Sequence, residues 1–345
     1  MNKRVSLADV AESLGVSKTV VSLVINNKGD ASGISKETQA RVREKIKELK
    51  YRPNVLARGF RTGKTETIGL IVSDISNRFY SRIARHIEDL AWNSGYSVVI
   101  CSTDELIVKE NKQVSLLLDR KIDGLIISSS LTDATTYNEM FDEGIPHVMI
   151  DRTFPEMKSP SVSVDNYSGA RLGVKHLIQH GYRDILLFAT PPGHISSIQQ
   201  RIRGFFDALA EENIILPPEN FIQIELGKVD QTIKEVLQDR YQSGKLPQAI
   251  FALNNISAST CVKYLRKLSV NVPEQTALIG FDDAVYFSYM KPTITAIVQP
   301  TEMISETAFM MLLEQIEKKE SKYPHHVKLA VDIAIRESTN KAFVY

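Results

Sequence analysis

The sequence predicts an α/β protein with a small all-α N-terminal domain and a larger α/β domain of two similar lobes. Near the N-terminus, apolar residues recur at helical spacing, and each predicted helix follows a capping residue. From residue 67, short apolar strands alternate with helices, and the alternation begins again after VSVDNYSGA, residues 162–170. The chain of 345 residues has room for two or three domains.

Composition places the chain among globular proteins. Hydrophobic residues make up 43% and charged residues 24% of the sequence. No apolar run approaches the roughly 20 residues of a membrane helix, and the N-terminus lacks the apolar segment of a signal peptide. We therefore expect a cytoplasmic protein without a membrane partner. Cys101 and Cys261 are far apart and the seven histidines are scattered, so we predict no metal site and no cofactor.

Charge is divided unevenly along the chain. The net charge is +1, but residues 1–64 hold 14 Lys and Arg against 6 Asp and Glu, a net of +8. The remaining residues carry a net of −7. A basic N-terminal domain on an acidic body is typical of a domain that binds a polyanion, although a solvated basic face would have the same composition.

The first predicted helix begins after Ser6, which forms a capping box with Asp9. Gly15 stands where a helix ends in a left-handed residue. The residues of its apolar stripe are Leu7, Val10, Ala11 and Leu14.

Two further helices follow in the N-terminal domain. Ser17 can cap the second helix and Ser35 the third. Between them lies a polar loop, residues 26–33. The predicted buried residues of these helices are Val20, Val21, Val24, Ile25, Val42, Ile46 and Leu49.

Three short helices with a glycine-bearing turn between the first two predict a helix-turn-helix unit, whose second helix enters the major groove of DNA. Its exposed residues here are Lys18, Thr19, Ser22 and Leu23. Lys18 can donate to guanine or phosphate, Thr19 can bond a base edge, and Leu23 can contact a thymine methyl group. The alternative is a small helical bundle that binds protein.

A short segment after the third helix is also a candidate DNA contact. Pro53 ends the third helix, and Asn54 can cap a helix from Val55 to about Arg61. Two helical turns are unstable alone in water, and the apolar edge of Leu56 and Phe60 has nothing local to cover it. The segment is either a frayed linker or one that folds against a partner chain and DNA.

Residues 65–345 are predicted to form two doubly wound α/β halves. The strands are predicted at TIGLIVSDI, SVVICST, GLIISSS, PHVMID, DILLFAT, QAIFALN, ALIGFDD and KLAVDIAIRES, and the segment PTITAIVQP leads into the last helix. The helices are predicted at 79–94, 108–120, a segment ending at 144, 167–180, 199–212, 258–268 and 301–319. Ligands bind at the carboxyl ends of such strands, which indicates a cleft between the lobes.

The segment after the first strand is a candidate part of that cleft. It contains Asp74, Asn77, Phe79 and Tyr80. Its aromatic rings can stack on a sugar ring, and Asp and Asn can bond hydroxyl groups. Phe79 can equally pack the start of the helix.

The N-terminal domain resembles that of the lactose/galactose repressor (LacI/GalR) family. Three ordered stretches carry the resemblance: VSLADVAESLGVSKTVVSLVINN, ISKETQARVREKIKELKYRPN and VLARGF. It implies that Lys18, Thr19 and Leu23 read bases and that Phe60 holds the place of the hinge leucine that wedges into a central base step. The expected DNA-contacting residues are Ser6, Ser17, Lys18, Thr19, Ser22, Leu23, Asn26, Tyr51, Asn54, Leu56, Ala57, Arg58 and Phe60. The chain departs from the family at Val20, where threonine is usual, and at Leu23, where arginine or histidine is usual, which puts the family operator sequence in doubt.

The resemblance covers nearly the whole chain, and the body is similar to a periplasmic-binding-protein-like fold. It implies a helix-turn-helix domain at 1–51, a hinge helix and linker at 52–64, and a ligand-sensing and dimerisation domain at 65–345. One lobe is expected at about 65–163 and 300–322, the other at about 164–295 and 327–345, with three crossings between them.

The resemblance also implies three ligand-binding residues in the second lobe. Arg201 in RIRGFF takes the place of the family's ligand-binding arginine, Asn254 that of its ligand amide, and Asp282 that of a carboxylate that accepts from ligand hydroxyls. The alternative for Asp282 is a helix cap or turn residue. The full expected effector set is Asp74, Asn77, Phe79, Tyr80, Arg201, Asn254 and Asp282. Arg78 stands where proline is usual and Asn255 where aspartate is common.

Nothing in the sequence supports catalysis, and we predict no catalytic residues. Gly63-Lys64-Thr65 lacks the spacing of a phosphate-binding loop and follows a helix rather than a strand, and no GxSxG or HExxH occurs. An exported sugar-binding protein would need a signal peptide and no DNA-binding domain.

The resemblance implies a bacterial DNA-binding regulator that acts at the nucleoid. Its partners would be double-stranded operator DNA with a pseudo-palindromic sequence, a second copy of itself in a homodimer or a tetramer, and a small effector. A sugar or sugar derivative is the first expectation, with a purine or a sugar phosphate behind it. The sequence leaves open whether the protein represses or activates.

Overall fold

The structure is a computed structural model that describes residues 5–51, 64–319 and 325–340. The chain divides into two compact units, Met1–Thr65 and Glu66–Tyr345, which we call the head and the body. No helix in these described ranges is long and apolar enough to cross a lipid bilayer.

The described part of the head folds into helices with the predicted caps. They are α1 (Leu7–Leu14), α2 (Lys18–Ile25) and α3 (Lys36–Glu48). The Ser6 hydroxyl accepts from the Asp9 amide at 3.3 Å, and the Asp9 carboxylate accepts from the Ser6 amide at 2.7 Å. Gly15 ends α1 with a φ of +67°, a left-handed conformation that lets the chain turn directly into α2.

The second and third helices begin at serine caps and share one core with the first. The Ser17 hydroxyl accepts from the amide of Val20, and the Ser35 hydroxyl accepts from the amide of Thr38. These bonds satisfy amides that have no partner within the helix. The buried residues of the core are Val10, Ala11, Val21, Val24 and Val42.

Gln39 of α3 fixes the loop between α2 and α3. Its buried amide group donates to the Asp30 carboxylate at 2.8 Å and to the Ile34 carbonyl at 2.9 Å. Gly29 lies against this side chain so closely that a Cβ would stand 2.6 Å from the Gln39 amide carbon. The loop is therefore held at a set distance from α3, and α2 is held with it.

The body contains two mainly parallel sheets with helices on both faces, which confirms the predicted α/β class. In chain order its elements are β1 (Thr67–Val72), α4 (Arg78–Asn93), β2 (Ser97–Ser102), α5 (Ile107–Asp119), β3 (Gly124–Ile127), α6 (Thr135–Asp142), β4 (His147–Ile150), β5 (Ser161–Val164), α7 (Asn166–Gln179), β6 (Ile185–Ala189), α8 (Ser196–Glu211), β7 (Phe221–Gln223), α9 (Val229–Gln242), β8 (Ala249–Ala252), α10 (Asn255–Lys267), β9 (Ala277–Phe281), β10 (Thr295–Val298), α11 (Thr301–Ile316), β11 (His326–Leu329) and β12 (Asp332–Ala334).

Each lobe of the body is built on one six-stranded sheet. The order in the first lobe is β11-β5-β4-β3-β1-β2, and all its pairs are parallel. The order in the second lobe is β12-β10-β9-β8-β6-β7, with only the β10–β12 pair antiparallel. The central strands are buried on both faces, so their sequences are continuous apolar runs rather than alternating ones.

The described chain passes from one sheet to the other three times: after β5, after β10, and between β11 and β12. Because the carboxyl ends of parallel strands meet at one edge of a sheet, loop residues from distant parts of the chain come together there.

The prediction of a single final strand in the second lobe is wrong. His326–Leu329 pairs with β5 in the first sheet, and only Asp332–Ala334 pairs with β10 in the second. The strand β10 also extends the second sheet to Val298, beyond the predicted lobe limit at residue 295. Apolar alternation identifies a strand but does not identify the sheet that it joins, which is why the sequence did not separate the two pieces.

Other differences concern helix starts and omitted elements. Helices α8 and α10 begin at Ser196 and Asn255, three residues before their predicted starts, because their first turns are polar and the apolar periodicity begins later. The structure adds β5, β7, β10 and α9, for which no prediction was made.

Candidate functional site

The exposed face of α2 is the first candidate site. Lys18 and Thr19 are exposed, and Ser22 and Leu23 are partly exposed, while Val21 and Val24 on the opposite face are buried. No acidic residue lies in α2. The helix therefore presents one cation and three side chains suited to base or phosphate contacts, with nothing to repel a phosphate backbone.

The remaining head candidates have structural roles that keep them at the surface. Ser6 and Ser17 are exposed helix caps, and the Asn26 side chain donates to the Ser22 carbonyl at 2.7 Å at the end of α2. Tyr51 is partly buried against the head core. The candidates that lie outside the described residues are Asn54, Leu56, Ala57, Arg58 and Phe60.

A cavity between the two lobes of the body is the second candidate site. Six of the seven predicted effector residues line it: Asn77, Phe79, Tyr80, Arg201, Asn254 and Asp282. Asp74 does not line it, because its carboxylate accepts from the amide and hydroxyl of Ser76, each at 2.8 Å. Arg78 is exposed and also lies outside the lining.

Phe79 packs in the core and also lines the cavity, so its stacking on a sugar ring stays a prediction. Its ring belongs to the core of the first lobe, meets Tyr80 edge to face at 5.0 Å, and also lines the cavity. The Tyr80 hydroxyl donates to Asp151 at 2.8 Å and lies 3.0 Å from the Ser128 hydroxyl. Burial, with the nearby carboxylates, raises the pKa of Tyr80, so the phenol stays protonated and acts as a donor.

Arg201 is the cation of the second lobe's wall. It donates through Nε to Asn166 at 2.8 Å and through Nη1 to the Leu253 carbonyl at 2.7 Å, and its guanidinium lies 3.7 Å from the Phe281 ring centroid. Asp282 approaches Nη1 at 3.7 Å. Arg201 is only 3% exposed, so these contacts, rather than water, satisfy its charge.

Asp282 is not a helix cap. It directly follows β9 with a φ of +70°, and its carboxylate accepts from the Gln299 amide group, which reaches it from the segment after β10. Burial raises the pKa of Asp282, and the charge of Arg201 partly opposes that rise. Gln299 holds one oxygen of this carboxyl group, and the other oxygen can accept a hydrogen bond from a ligand hydroxyl.

Asn254 caps α10, because its Oδ1 accepts from the Ser257 amide at 2.8 Å. A ligand would therefore meet its Nδ2 group. The next residue, Asn255, donates to Asn77 Oδ1 at 3.2 Å, which joins the second lobe to the first. Asn77 in turn caps α4 by accepting from the Phe79 amide at 3.1 Å.

Two further hydrogen bonds join the lobes. The Ser196 hydroxyl accepts from the Thr153 amide at 2.9 Å, and His194 Nε2 donates to the Ser130 carbonyl at 3.2 Å. With the Asn255–Asn77 bond, three hydrogen bonds therefore connect the lobes across the cleft.

An ion pair in the first lobe was not predicted from the sequence. Arg152 donates to both carboxylate oxygens of Glu105, at 2.8 and 2.6 Å, and to the Ser129 carbonyl at 2.8 Å. Burial alone would raise the pKa of Glu105, but the hydrogen bonds and charge of Arg152 outweigh burial and lower it. Both residues line the cavity as an ionised pair.

Glu110 holds the loop that supports this pair. Its buried carboxylate accepts from the hydroxyls of Ser129 and Tyr137 and, at 2.6 Å, from the Ser130 amide. The same loop offers the Ser129 carbonyl and the Ser130 hydroxyl to Arg152. Glu110 therefore acts on the cavity through the position of its neighbours.

A close approach of two helices sets the position of Arg201. Gly204 lies three residues beyond it on α8, and a Cβ at Gly204 would stand 2.2 Å from the Tyr167 carbonyl oxygen of α7. Only glycine permits this contact between backbones.

Three of the missed cavity residues directly follow a strand. Asp151 and Arg152 directly follow β4, and Thr190 directly follows β6. The rule that ligands meet the carboxyl ends of parallel strands would have indicated all three. No local signal points to Glu105, whose partner is 47 residues away. Within the described ranges, no group of three His, Cys, Asp or Glu side chains could hold a metal ion.

Comparisons with known proteins bear on both sites. Residues 6–54 match the family described as bacterial regulatory proteins, lacI family, and residues 174–339 match a periplasmic binding protein-like domain. The transcriptional regulator RegA of Clostridium saccharobutylicum is 33% identical over 336 residues, which cover 97% of this chain and 99% of RegA.

Two solved structures are also similar. The lac repressor dimer bound to operator and the anti-inducer ONPF superposes with a TM-score of 0.83 at 26% identity, over 98% of this chain and 99% of that one. A periplasmic binding protein/LacI transcriptional regulator from Alkaliphilus metalliredigens QYMF, complexed with D-xylulofuranose, gives a TM-score of 0.69 at 27% identity, over 80% of this chain and 100% of that one. The predicted family is thereby confirmed: this chain belongs to the LacI family of bacterial transcriptional regulators.

Proposed function

We propose that this protein is a transcriptional repressor that binds a pseudo-palindromic operator as a homodimer, and that a small hydroxylated molecule in the cleft controls its affinity for DNA. The observation that carries the proposal is the exposed, acid-free face of α2, with Lys18 and Thr19 at its N-terminal end. In a helix-turn-helix unit this end of the second helix contacts base edges.

The homodimer follows from the number of contacts that one head can make. A single α2 reads few base pairs, and phosphate contacts alone give little sequence preference. The edge of the first lobe's sheet formed by β2 offers a surface for the partner. Ile100 of this edge strand is 42% exposed, and Val108, which follows on α5, is 81% exposed. A second copy would cover these apolar side chains and place two heads on the two halves of an inverted repeat.

The cleft suits a sugar or sugar derivative. It combines an aromatic ring, two arginines, carboxylates and amides within one mostly buried lining. Four buried polar atoms of this lining have no hydrogen-bond partner among the described residues: Asp151 Oδ1, Arg152 Nε, Thr190 Oγ1 and Gln299 Oε1. Hydroxyl groups, which both donate and accept, would satisfy all four.

Control of DNA binding would operate through closure of the lobes. A ligand that binds the closed cleft more tightly than the open one stabilises the arrangement that the three hydrogen bonds between lobes already favour. A coupling of about 1–3 kcal/mol changes operator affinity roughly 5- to 150-fold. Such a protein would work in the bacterial cytoplasm, at the nucleoid, without catalytic activity.

The test is selection of duplex DNA from a random library by the full-length chain at moderate salt. We expect enrichment of inverted repeats, and sedimentation of a dimer at micromolar concentration. Lys18→Ala should weaken binding of the selected duplex about tenfold, the effect of losing one good base contact. Lys47→Ala, an exposed lysine of α3, serves as the matched control. If the wild type enriches inverted repeats no more than the Lys18→Ala protein does, the proposal is contradicted.

A further inference from the structure

Arg152, the cation of the first lobe's wall, is already engaged by protein groups. The carboxylate of Glu105 accepts from both of its terminal nitrogens, and the Ser129 carbonyl accepts a third hydrogen bond. The Arg152 side chain is 8% exposed and that of Glu105 is 16% exposed, so little water screens the pair. A two-point bond of this kind is among the strongest contacts between side chains.

Two of the four unpartnered buried polar atoms in the cleft are obligate acceptors. Asp151 Oδ1 and Gln299 Oε1 can only accept, Arg152 Nε can only donate, and Thr190 Oγ1 can do either. A phosphate or carboxylate ligand brings acceptor oxygens, which would face the two acceptors at close range. A polyhydroxy ligand brings donors for both.

The charge of the lining leads to the same chemistry. Glu105, Asp151 and Asp282 contribute carboxyl groups, and Arg152 and Arg201 contribute guanidinium groups. Arg201 is also committed, because Asn166 and the Leu253 carbonyl accept from it and Asp282 lies 3.7 Å away. The lining therefore has no positive charge in excess to offset an anion.

We propose that Glu105 determines the charge class of the effector: by keeping Arg152 paired, it restricts the cleft to uncharged polyhydroxy molecules and excludes sugar phosphates and sugar acids. This inference rests on the proposed function, since it concerns the ligand of the same cleft. Glu105→Gln would remove the carboxylate that accepts from both terminal nitrogens of Arg152 and leave Asp151, 3.5 Å from Nε, as its remaining ion pair. The terminal nitrogens would then be open to an anion.

The test measures binding of inorganic phosphate to the purified full-length protein at constant ionic strength, by isothermal titration and by the shift in melting temperature. Four proteins are compared: the wild type, Glu105→Gln, the double variant Glu105→Gln/Arg152→Gln, and Asp104→Asn. Asp104 is the adjacent acid; it pairs with Lys109 at the surface and does not line the cleft. Phosphate binding by the basic head is common to all four proteins and cancels in the comparison.

We expect Glu105→Gln alone to gain affinity for phosphate, by about tenfold or more, which corresponds to a charge-assisted hydrogen bond in a dry site. The other three proteins should give equal, weaker binding. A Glu105→Gln protein that binds phosphate no better than the double variant overturns the inference. If Glu105→Gln does not fold, the wild type and the double variant still decide: equal binding supports the inference, and tighter binding by the wild type overturns it.

A second arm uses the wild type with paired probes, D-ribose and D-ribose 5-phosphate, and D-glucose and D-glucose 6-phosphate. A phosphorylated probe that raises the melting temperature more than its neutral counterpart would also overturn the inference. Operator binding by the same samples separates the two proposals. Loss of operator selection contradicts the proposed function, whereas anion binding with operator selection intact contradicts only the role of Glu105.

Discussion

The head and the cleft both present polar side chains to a ligand, but they hold those side chains in different ways. Lys18 and Thr19 stand exposed on α2, where water satisfies them when DNA is absent. Arg201 and Arg152 are almost fully buried and depend on protein acceptors. Specificity in the head can therefore change at little cost to folding, whereas specificity in the cleft is tied to the stability of the body.

The largest expected effect is at Arg201. Arg201→Ala removes the donor to Asn166 and takes away the cation that lies beside the buried Asp282. We therefore expect the free energy of unfolding to fall by about 3 kcal/mol. Urea denaturation followed by circular dichroism measures the change. The control is Arg203→Ala on the same helix, whose side chain is 78% exposed and which should change stability by less than about 0.5 kcal/mol. Equal losses of unfolding free energy in Arg201→Ala and Arg203→Ala would contradict the prediction that the buried arginine contributes more to stability than the exposed one.

Glu110→Gln should have the next largest effect. The substituted amide would place a donor against the Ser130 amide or against a seryl or tyrosyl hydroxyl in a fully buried site, at a cost of about 2 kcal/mol. The loop under Arg152 would then shift and weaken effector binding. Glu139→Gln on the exposed face of α6 is the matched control. Unfolding measured with and without effector distinguishes the two consequences, and a variant as stable as the control would contradict the role of Glu110.

A cap in the head gives a smaller effect. Ser17→Ala removes the acceptor for the Val20 amide, and we expect α2 to lose about 1 kcal/mol of stability. Hydrogen exchange of the α2 amides in the full chain measures this loss directly. Ser32→Ala in the exposed loop should leave the exchange rates unchanged. Equal protection in both variants would show that tertiary packing alone holds α2.

The smallest effect is a pH dependence at Asp282. Because burial raises its pKa in the folded body, the folded state holds the proton more tightly than the unfolded state does. This contribution to stability is complete below the ordinary aspartate pKa and is lost as the pH rises through the folded value. Asp282→Asn removes the titration, so the variant should gain stability relative to the wild type as the pH rises from about 4 to 7. Parallel urea midpoints of the two proteins across this range would contradict the prediction.

Sequence reasoning was sufficient for the architecture because the signals were local. Three helix starts are marked by the capping residues Ser6, Ser17 and Ser35. The buried strands are uninterrupted apolar runs in the sequence. The sequence did not reveal which sheet each piece of KLAVDIAIRES joins, because that depends on the neighbours β5 and β10 rather than on the segment itself.

The cleft was predictable only in part. Arg201, Asn254 and Asp282, which were predicted from the family, line the cavity. So do Asn77, Phe79 and Tyr80, which were predicted because they follow the first strand. Asp74, which lies in the same segment, turned to Ser76 instead, since a short polar side chain often bonds its own turn. The Glu105–Arg152 pair joins two loops through the fold, and no spacing in the sequence encodes it.

Gly204 has a consequence for how this cleft can evolve. Its missing side chain brings two helices into backbone contact and thereby fixes where Arg201 stands, although Gly204 itself faces no ligand. Any larger residue would move the whole helix and displace the arginine. Directed evolution toward new effectors should therefore leave Gly204 unchanged, although Gly204 does not line the cleft.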